Sequence, residues 1–413
     1  MLGRLFGTAR STNSDVDQAA ATGPLAQVQI PDLHRDDLSA LELDAISYKM
    51  LSAALKNPTE IAEALRAILD SYTGPVTPLL DRVAIQLLDS TLRRQFQDNV
   101  ELLDRVDWLA QKWPHIPAAD LYQGAVSFNN GDRASAFASF RRAATAAHQL
   151  PRMYIGAYSI GSHTIDDWNA STGSHPFLQD TVTWVVPAAY RSRAVILVGA
   201  DCRFFVKFAA RFYETLRRVD DTIPVHFHVV NWDDECAAIL PQHPTVSISS
   251  EAYRYVKDYA YFATCRFYRA AEIMKALGSS LYITDIDNDV VAPFRRCRDL
   301  KDYACGFRHM QTGNWFPWWS PSAGNTWLAN TTEGRTVAKW LRNYIATRFP
   351  AHKNAWWFDQ LALNEVRHRA MAEGHTVAEL SEKRFYISVS RDARVWGKPR
   401  PAVAAHGEAR GPR

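Results

Sequence analysis

The stretch LYITDIDNDVV, residues 281–291, sets carboxylates at Asp285, Asp287 and Asp289, at every second position directly after an apolar run. Side chains two apart share one face of an ideal strand, and in the bend that ends a strand two such carboxylates can converge on one hard cation. Mg2+ or Mn2+ takes oxygen ligands of this kind and keeps positions open for a diphosphate. The cation also offsets the repulsion between the acids. A solvated acidic turn explains an isolated DxD equally well, so the surrounding elements have to decide. For Asp289, which extends the run to DxDxD, a solvent-facing or capping role is enough.

Those elements read as α/β. SRAVILVGAD (192–201) is a short apolar run ending in Asp201, a helical pattern follows through Arg218, and PVHFHVVNWDD alternates as a strand. YAYFATCRFYRAAEIMKAL reads as a helix leading into the strand SLYITDID. The carboxylates therefore follow a buried strand, and in open α/β sheets ligands collect beyond the carboxyl ends of strands. His226 and His228 fall on one face of VHFHVV, but no third ligand lies nearby in sequence. They read as a polar strand face rather than as a metal site.

From Leu38 to about His148 the apolar residues recur at helical spacing. Asn57-Pro58-Thr59-Glu60 supplies a helix start, with Asn57 as cap, Pro58 in the first turn and Glu60 reaching back. In ADLYQGAVSFNNGDRASAFASFRRAATAAH, the small residues Gly124, Ala136 and Ala143 and the bulky Phe140 lie where two antiparallel helices would touch, and Asn130-Gly131-Asp132 turns between them. These positions resemble a tetratricopeptide repeat, without its usual early Trp and late Pro. The resemblance implies a peptide-binding or dimerising surface; plain helical packing is the alternative.

Length and composition bound the rest. With 413 residues and 47% hydrophobic composition, the chain can bury cores for two domains. The expected division is a flexible leader at 1–35, a helical domain at 36–150, an α/β domain at 151–400 and a basic tail at 401–413. The formal charge is +3, and residues 391–413 carry six Lys/Arg against two Asp/Glu, so this end accounts for the whole excess. A near-neutral body argues against duplex nucleic acid, whose affinity rests on many phosphate contacts. Apolar runs fall short of the roughly 20 residues that span a bilayer, and MLGRLFGTARSTNSD lacks a secretory apolar core, so a cytoplasmic location is expected. The five cysteines, Cys202, Cys236, Cys265, Cys297 and Cys305, contain no CxxC pair and read as reduced thiols, with neither zinc site nor disulfide framework indicated.

LYITDID followed by NDVVAPF resembles the nucleotide-sugar glycosyltransferases of the GT-A fold, specifically relatives of the retaining galactosyl- and glucosyltransferases. Three further stretches look similar in the same order, and together they cover roughly residues 180–370. The resemblance implies a Rossmann-like, mixed but mostly parallel sheet, Mn2+ or Mg2+, a nucleotide-diphosphate sugar as donor, and a protein or glycan acceptor. It places Asp201 and Phe204 on the nucleobase, by hydrogen bonding and stacking. In YFATCRFYRAAEIM it sets Arg266 toward the nucleotide, with Arg269 a close alternative; guanidinium donors bind phosphate and carboxylate in pairs. Asp287 holds the metal, and Asp285 the metal or the ribose.

In WWFDQLALNEV (356–366) the resemblance sets Asp359 and Gln360 beside the sugar and its anomeric carbon, whereas a helix cap is the plain alternative for Asp359. The family often completes its metal shell with a histidine near the C-terminus. Here WGKPRPAVAAHGEARGPR has similar ingredients in another order, and His406 is the one candidate, equally readable as a tail histidine. Among the crowded tryptophans, Trp340 falls in a helical pattern and reads as core, while Trp315, Trp318 and Trp319 in NWFPWWSPSAGN read as an acceptor wall, with Gly324 letting backbone approach the donor sugar. Two other readings compete. DNDVV alone fits the D-x-D-x-[TV] motif of haloacid-dehalogenase-type phosphatases, with Asp287 as nucleophile, although that motif normally opens its domain. A helical-repeat adaptor whose glycosyltransferase-like domain no longer turns over is the non-enzymatic one.

Overall fold

Helical spacing in the N-terminal half becomes six α-helices among the residues described by the computed structural model, namely 30, 32–94, 100–146, 157, 182–239, 243–255, 258–290, 300–309, 316–319, 321–352 and 357–380. The described residues divide into two compact units, the first holding these helices with the turn at 316–319, the second the α/β sheet. Residues 1–29 and 31 of the leader, the basic tail, His406, Trp315 and Cys297 lie outside the described residues.

Helix α1 (Ala40–Ala54) opens on a full capping box, Ser39 N–H donating to Glu42 Oε2 at 2.9 Å while Glu42 N–H donates to Ser39 Oγ at 3.4 Å. Helix α2 (Pro58–Ser71) starts where the sequence placed it, with Pro58 in the first turn and Asn57 Oδ1 accepting from Glu60 N–H. It buries Ile61, Ala62, Leu65 and Leu69, a single helical stripe. Helix α3 (Pro78–Arg94) is buried along most of its length and packs against α1, α2, α4 (Val100–Lys112) and α5 (Pro117–Asn129).

Helices α5 and α6 (Arg133–Ala146) form the expected antiparallel hairpin, turned through Gly131 at φ +85°, a left-handed value that glycine adopts without penalty. Gly124 is where the hairpin closes. A Cβ there would stand 2.6 Å from the Phe140 ring, and Ala136, Phe140 and Ala143 are fully buried. The same unit takes in the short 3-10 turn Pro317–Trp319: Phe316 sits edge-on to Tyr122, and Trp318 edge-on to Phe140, both with centroids 5.2 Å apart. Trp318 is wholly buried and stacked on Phe316, and Trp319 is half-buried edge-on to Phe316. This corrects the acceptor-wall expectation for Trp318. Burial of so large an apolar ring in the helical core outweighs any gain from leaving it as an exposed sugar platform.

The second unit is an eight-stranded sheet in the order β1-β4-β3-β2-β5-β7-β6-β8: β1 (Thr183–Val186), β2 (Ala194–Asp201), β3 (Val225–Val230), β4 (Val246–Glu251), β5 (Ser280–Thr284), β6 (Cys305–His309), β7 (Pro321–Leu328) and β8 (Val377–Glu379). Strands β4, β3, β2 and β5 run parallel as neighbours, β1, β7 and β6 join antiparallel, and β8 pairs parallel with β6. Near-continuous burial of β2, β3 and β4 is what helices on both faces of a parallel core require. Helix α7 (Cys202–Val219) shows how: Cys202, Phe205, Ala209, Phe212 and Leu216 form one buried stripe that packs with Phe227 and Ile248. Short α8 (Asp234–Ala238), α9 (Tyr259–Tyr268), α10 (Ala270–Leu277, stopped by left-handed Gly278), α11 (Thr332–His352) and α12 (Phe358–Ala372) complete the unit.

The polar face read from His226 and His228 turns out to be fully buried. Parallel register sets His226 beside Ser247, His228 beside Ser249, and Val230 beside Glu251. A hydrogen-bonded ladder follows, running Ser247–His226–Ser249–His228–Glu251 at 2.8–3.0 Å per step, with Tyr190 joining at Ser247. Arg269 Nε, at 2.8 Å, and the Tyr261 hydroxyl both donate to Glu251. Burial, with His228 nearby, keeps the His226 pKa well below the ordinary 6.5. Glu251 is pushed up by burial, but its bond to His228 and the charges of His228 and Arg269 outweigh that and hold it at about 2.

Candidate active site

Because β2, β3, β4 and β5 are parallel, Asp201, the segment after Val230, Glu251 and Asp285 all leave the sheet at one edge. Helix α9 packs against β2, and Gly199 makes that approach possible: a Cβ there would stand 2.6 Å from Arg266 Cβ. The close contact delivers the Arg266 guanidinium to the end of β5. Arg266 Nη2 pairs with Asp285 Oδ1 at 2.6 Å and reaches Asp359 Oδ2 at 3.4 Å. Its Nε–H is buried without an acceptor among the described residues. Arg269, three residues on, is committed to Glu251 and Glu272, so Arg266 is the arginine at the carboxylates.

Asp359 is in the first turn of α12 and does not cap it; the cap position is Trp357, which makes no side-chain cap bond. Asp359 Oδ1 accepts from Gln360 N–H at 2.8 Å, and Gln360 itself is half-buried. Burial raises the Asp359 carboxyl to about 7; the Arg266 charge opposes this and the nearby Asp285 charge adds to it. Asp287 is raised to about 6, by burial and then by the charge of Asp285, with Arg266 and Lys207 opposing. A carboxyl at such a value is poised between its two protonation states near neutrality.

β7 lines the other side of Asp285. Its antiparallel register with β5 continues past Ile283↔Thr326 to set Gly324 against Asp285, and a Cβ on Gly324 would lie 2.6 Å from Asp285 Oδ2 and 3.4 Å from Asn288 Nδ2. Glycine therefore keeps room for the carboxylate. Asn288 is buried and donates to Thr284 Oγ1 at 3.0 Å, while Tyr282 donates to Asn325 Oδ1 at 2.7 Å. These bonds fix the bend after β5.

Asp201 and Phe204 stand at the end of neighbouring β2. One Asp201 oxygen accepts from Phe204 N–H at 2.8 Å and caps α7, and Phe204 is 37% exposed beside Phe208. Asp289 takes neither of the roles expected for it: it forms a two-pronged pair with Arg211 of α7, at 2.8 and 2.6 Å. That partner is 78 residues away in sequence, which is why the motif alone left Asp289 unassigned.

The donor set at Asp285 and Asp287 is all oxygen and fits a hard divalent cation. Two crowded carboxylates, one of them raised by its neighbour's charge, favour added positive charge there. Among the described residues no third His, Cys, Asp or Glu donor joins them; the single group of three or more such donors is Cys202, Asp233 and Cys236. Sequence reading missed that second group, because its cysteines are 34 residues apart and belong to two different helices. Matching against protein-family models finds no family for this chain, and a search of curated proteins finds no match either.

Proposed function

We propose that the α/β unit is a metal-dependent glycosyltransferase of the GT-A type, which moves a sugar from a nucleotide-diphosphate donor to a protein or glycan acceptor. The observation that carries this reading is the convergence of Arg266, Asp285, Asp287 and Asp359 beyond the carboxyl end of β5. Asp287 and Asp285 would hold Mn2+ or Mg2+, and the bound cation supplies Lewis-acid stabilisation of charge on the departing diphosphate. Arg266 orients Asp285 and offers its unpartnered Nε–H to a phosphate oxygen. The exposed Phe204 ring serves the nucleobase as a stacking platform, and the Asp201 oxygen not used in the helix cap is its polar partner.

Asp359 and Gln360 border the sugar. With its carboxyl at about 7, Asp359 becomes able to take a proton from an acceptor hydroxyl as the pH rises through neutrality. The close-packed Gly124–Phe140 hairpin supports a tetratricopeptide-like role for the helical unit in selecting the acceptor. A panel of nucleotide sugars with Mn2+ or Mg2+ tests the reading by nucleotide release. Release from at least one donor is expected, abolished in Asp287→Ala; equal release by both proteins removes Asp287 from the site. Phosphatase action on small phosphomonoesters, with no release from any nucleotide sugar, would replace this reading by the phosphatase one.

A further inference from the structure

Two thiols and a carboxylate meet at a second place on the sheet's carboxyl edge. Cys202 is the first residue of α7, directly after β2, while Asp233 caps α8 and Cys236 lies within it, just after β3. Their ligand atoms all lie within 4.8 Å of one another. Asp233 Oδ1 accepts from Cys202 Sγ at 3.0 Å and from Cys236 N–H at 3.0 Å, and Cys236 Sγ lies 3.9 Å from the Cys202 carbonyl and within reach of Asp233 and Cys202.

We propose that Cys202, Cys236 and Asp233 bind one zinc ion, with a fourth position open to water. Tetrahedral zinc with bonds of about 2.3 Å to sulfur and about 2.1 Å to oxygen needs sulfurs about 3.8 Å apart and sulfur–oxygen separations near 3.6 Å. The 4.8 Å upper limit on the present separations and the 3.0 Å Cys202–Asp233 contact bracket those values. The softness of the donors sets the ion: two thiolates select zinc over Mg2+ or Mn2+, so this site and the all-oxygen pair at Asp285 and Asp287 take different metals. Both cysteines are buried, Asp233 is exposed, and an ion enters past the carboxylate. On binding, the two thiols release their protons to solvent. The ion then ties the start of α7, with Asp201 and Phe204, to α8. The inference stands on these residues alone and does not depend on the transferase reading.

The test uses the full chain, reduced and stripped of metal with a chelator, then titrated with Co2+ as a spectroscopic stand-in for zinc. One equivalent is expected to give a near-ultraviolet thiolate-to-cobalt charge-transfer band that Zn2+ displaces, and Zn2+ is expected to raise Tm. Cys236→Ser should lose both effects, and Cys297→Ser should keep them. Should Cys236→Ser fail to fold, Asp233→Asn serves instead, because asparagine caps a helix as well as aspartate does but carries no charge for the metal. A native fold with roughly tenfold or greater loss of zinc affinity supports the site, on the scale that altered metal environments show. Absence of the band from the wild-type protein, or equal bands in wild type and Cys236→Ser, or unchanged affinity in Asp233→Asn, overturns the proposal.

Discussion

Replacing Gly324 by alanine adds one methyl group to β7 and little else, because the backbone there is outside the left-handed region and alanine adopts it without strain. The new Cβ would stand 2.6 Å from Asp285 Oδ2, and ordinary contact begins near 3.4 Å, so the carboxylate must retreat by about 0.8 Å. Asp285 cannot move that far and keep its 2.6 Å pair with Arg266. Its side chain is 35% exposed, so it can swing outward, and stability should change by less than about 1 kcal/mol. Function should respond more strongly: misplacement by about 1 Å at a reacting centre costs on the order of 100-fold in rate, or about 2.7 kcal/mol. Mn2+ affinity, read from the resonance of the free ion, and nucleotide release from whichever donor proves active are the two measurements. Both should fall while Tm stays near that of the wild type. A variant that binds Mn2+ and releases nucleotide like the parent would refute the assignment of Asp285 to the metal and the leaving group.

Three further outcomes follow from buried groups. Glu251→Gln removes the buried one of Arg269's two acidic partners; Glu251 is held at about 2 against an ordinary 4.5, so the loss at neutral pH should be about 3 kcal/mol, measured by urea denaturation. For the wild-type protein, Glu251's contribution is complete above about pH 4.5 and disappears as pH falls toward 2. His226 acts earlier: its folded pKa is below 6.5, the unfolded chain binds the proton more readily, and stability drops as pH falls through and below 6.5. An NMR titration from neutral to acidic pH should therefore find the His226 ring still neutral well below 6.5, and protonation near 6.5 contradicts burial of a neutral histidine. Trp318→Ala should cost about 3–5 kcal/mol, as for a large core ring, and a loss under about 1 kcal/mol would return that residue to the surface.

Much of the architecture is written in local pattern. Helical spacing from Leu38 onward, the Asn57-Pro58 start, the Asn130-Gly131-Asp132 turn and the apolar runs ending at Asp201 and Asp285 determine elements through neighbours a few residues apart, and periodic burial is a local property. The placement of acidic residues just after a buried parallel strand was legible for the same reason. Pairing across the fold was not. Arg266 and Arg269 look alike in sequence, and only the close approach of α9 over Gly199 sends one to Asp285 and the other to Glu251. Asp289 finds Arg211, His226 and His228 find the serines of β4, Trp318 finds Phe140, and Cys202 finds Cys236 through strand order, register and helix packing. Those partners lie 21 to 178 residues apart, and which charges, rings and thiols meet over such distances is decided by how the strands pair and the helices pack, since burial removes water as the alternative partner.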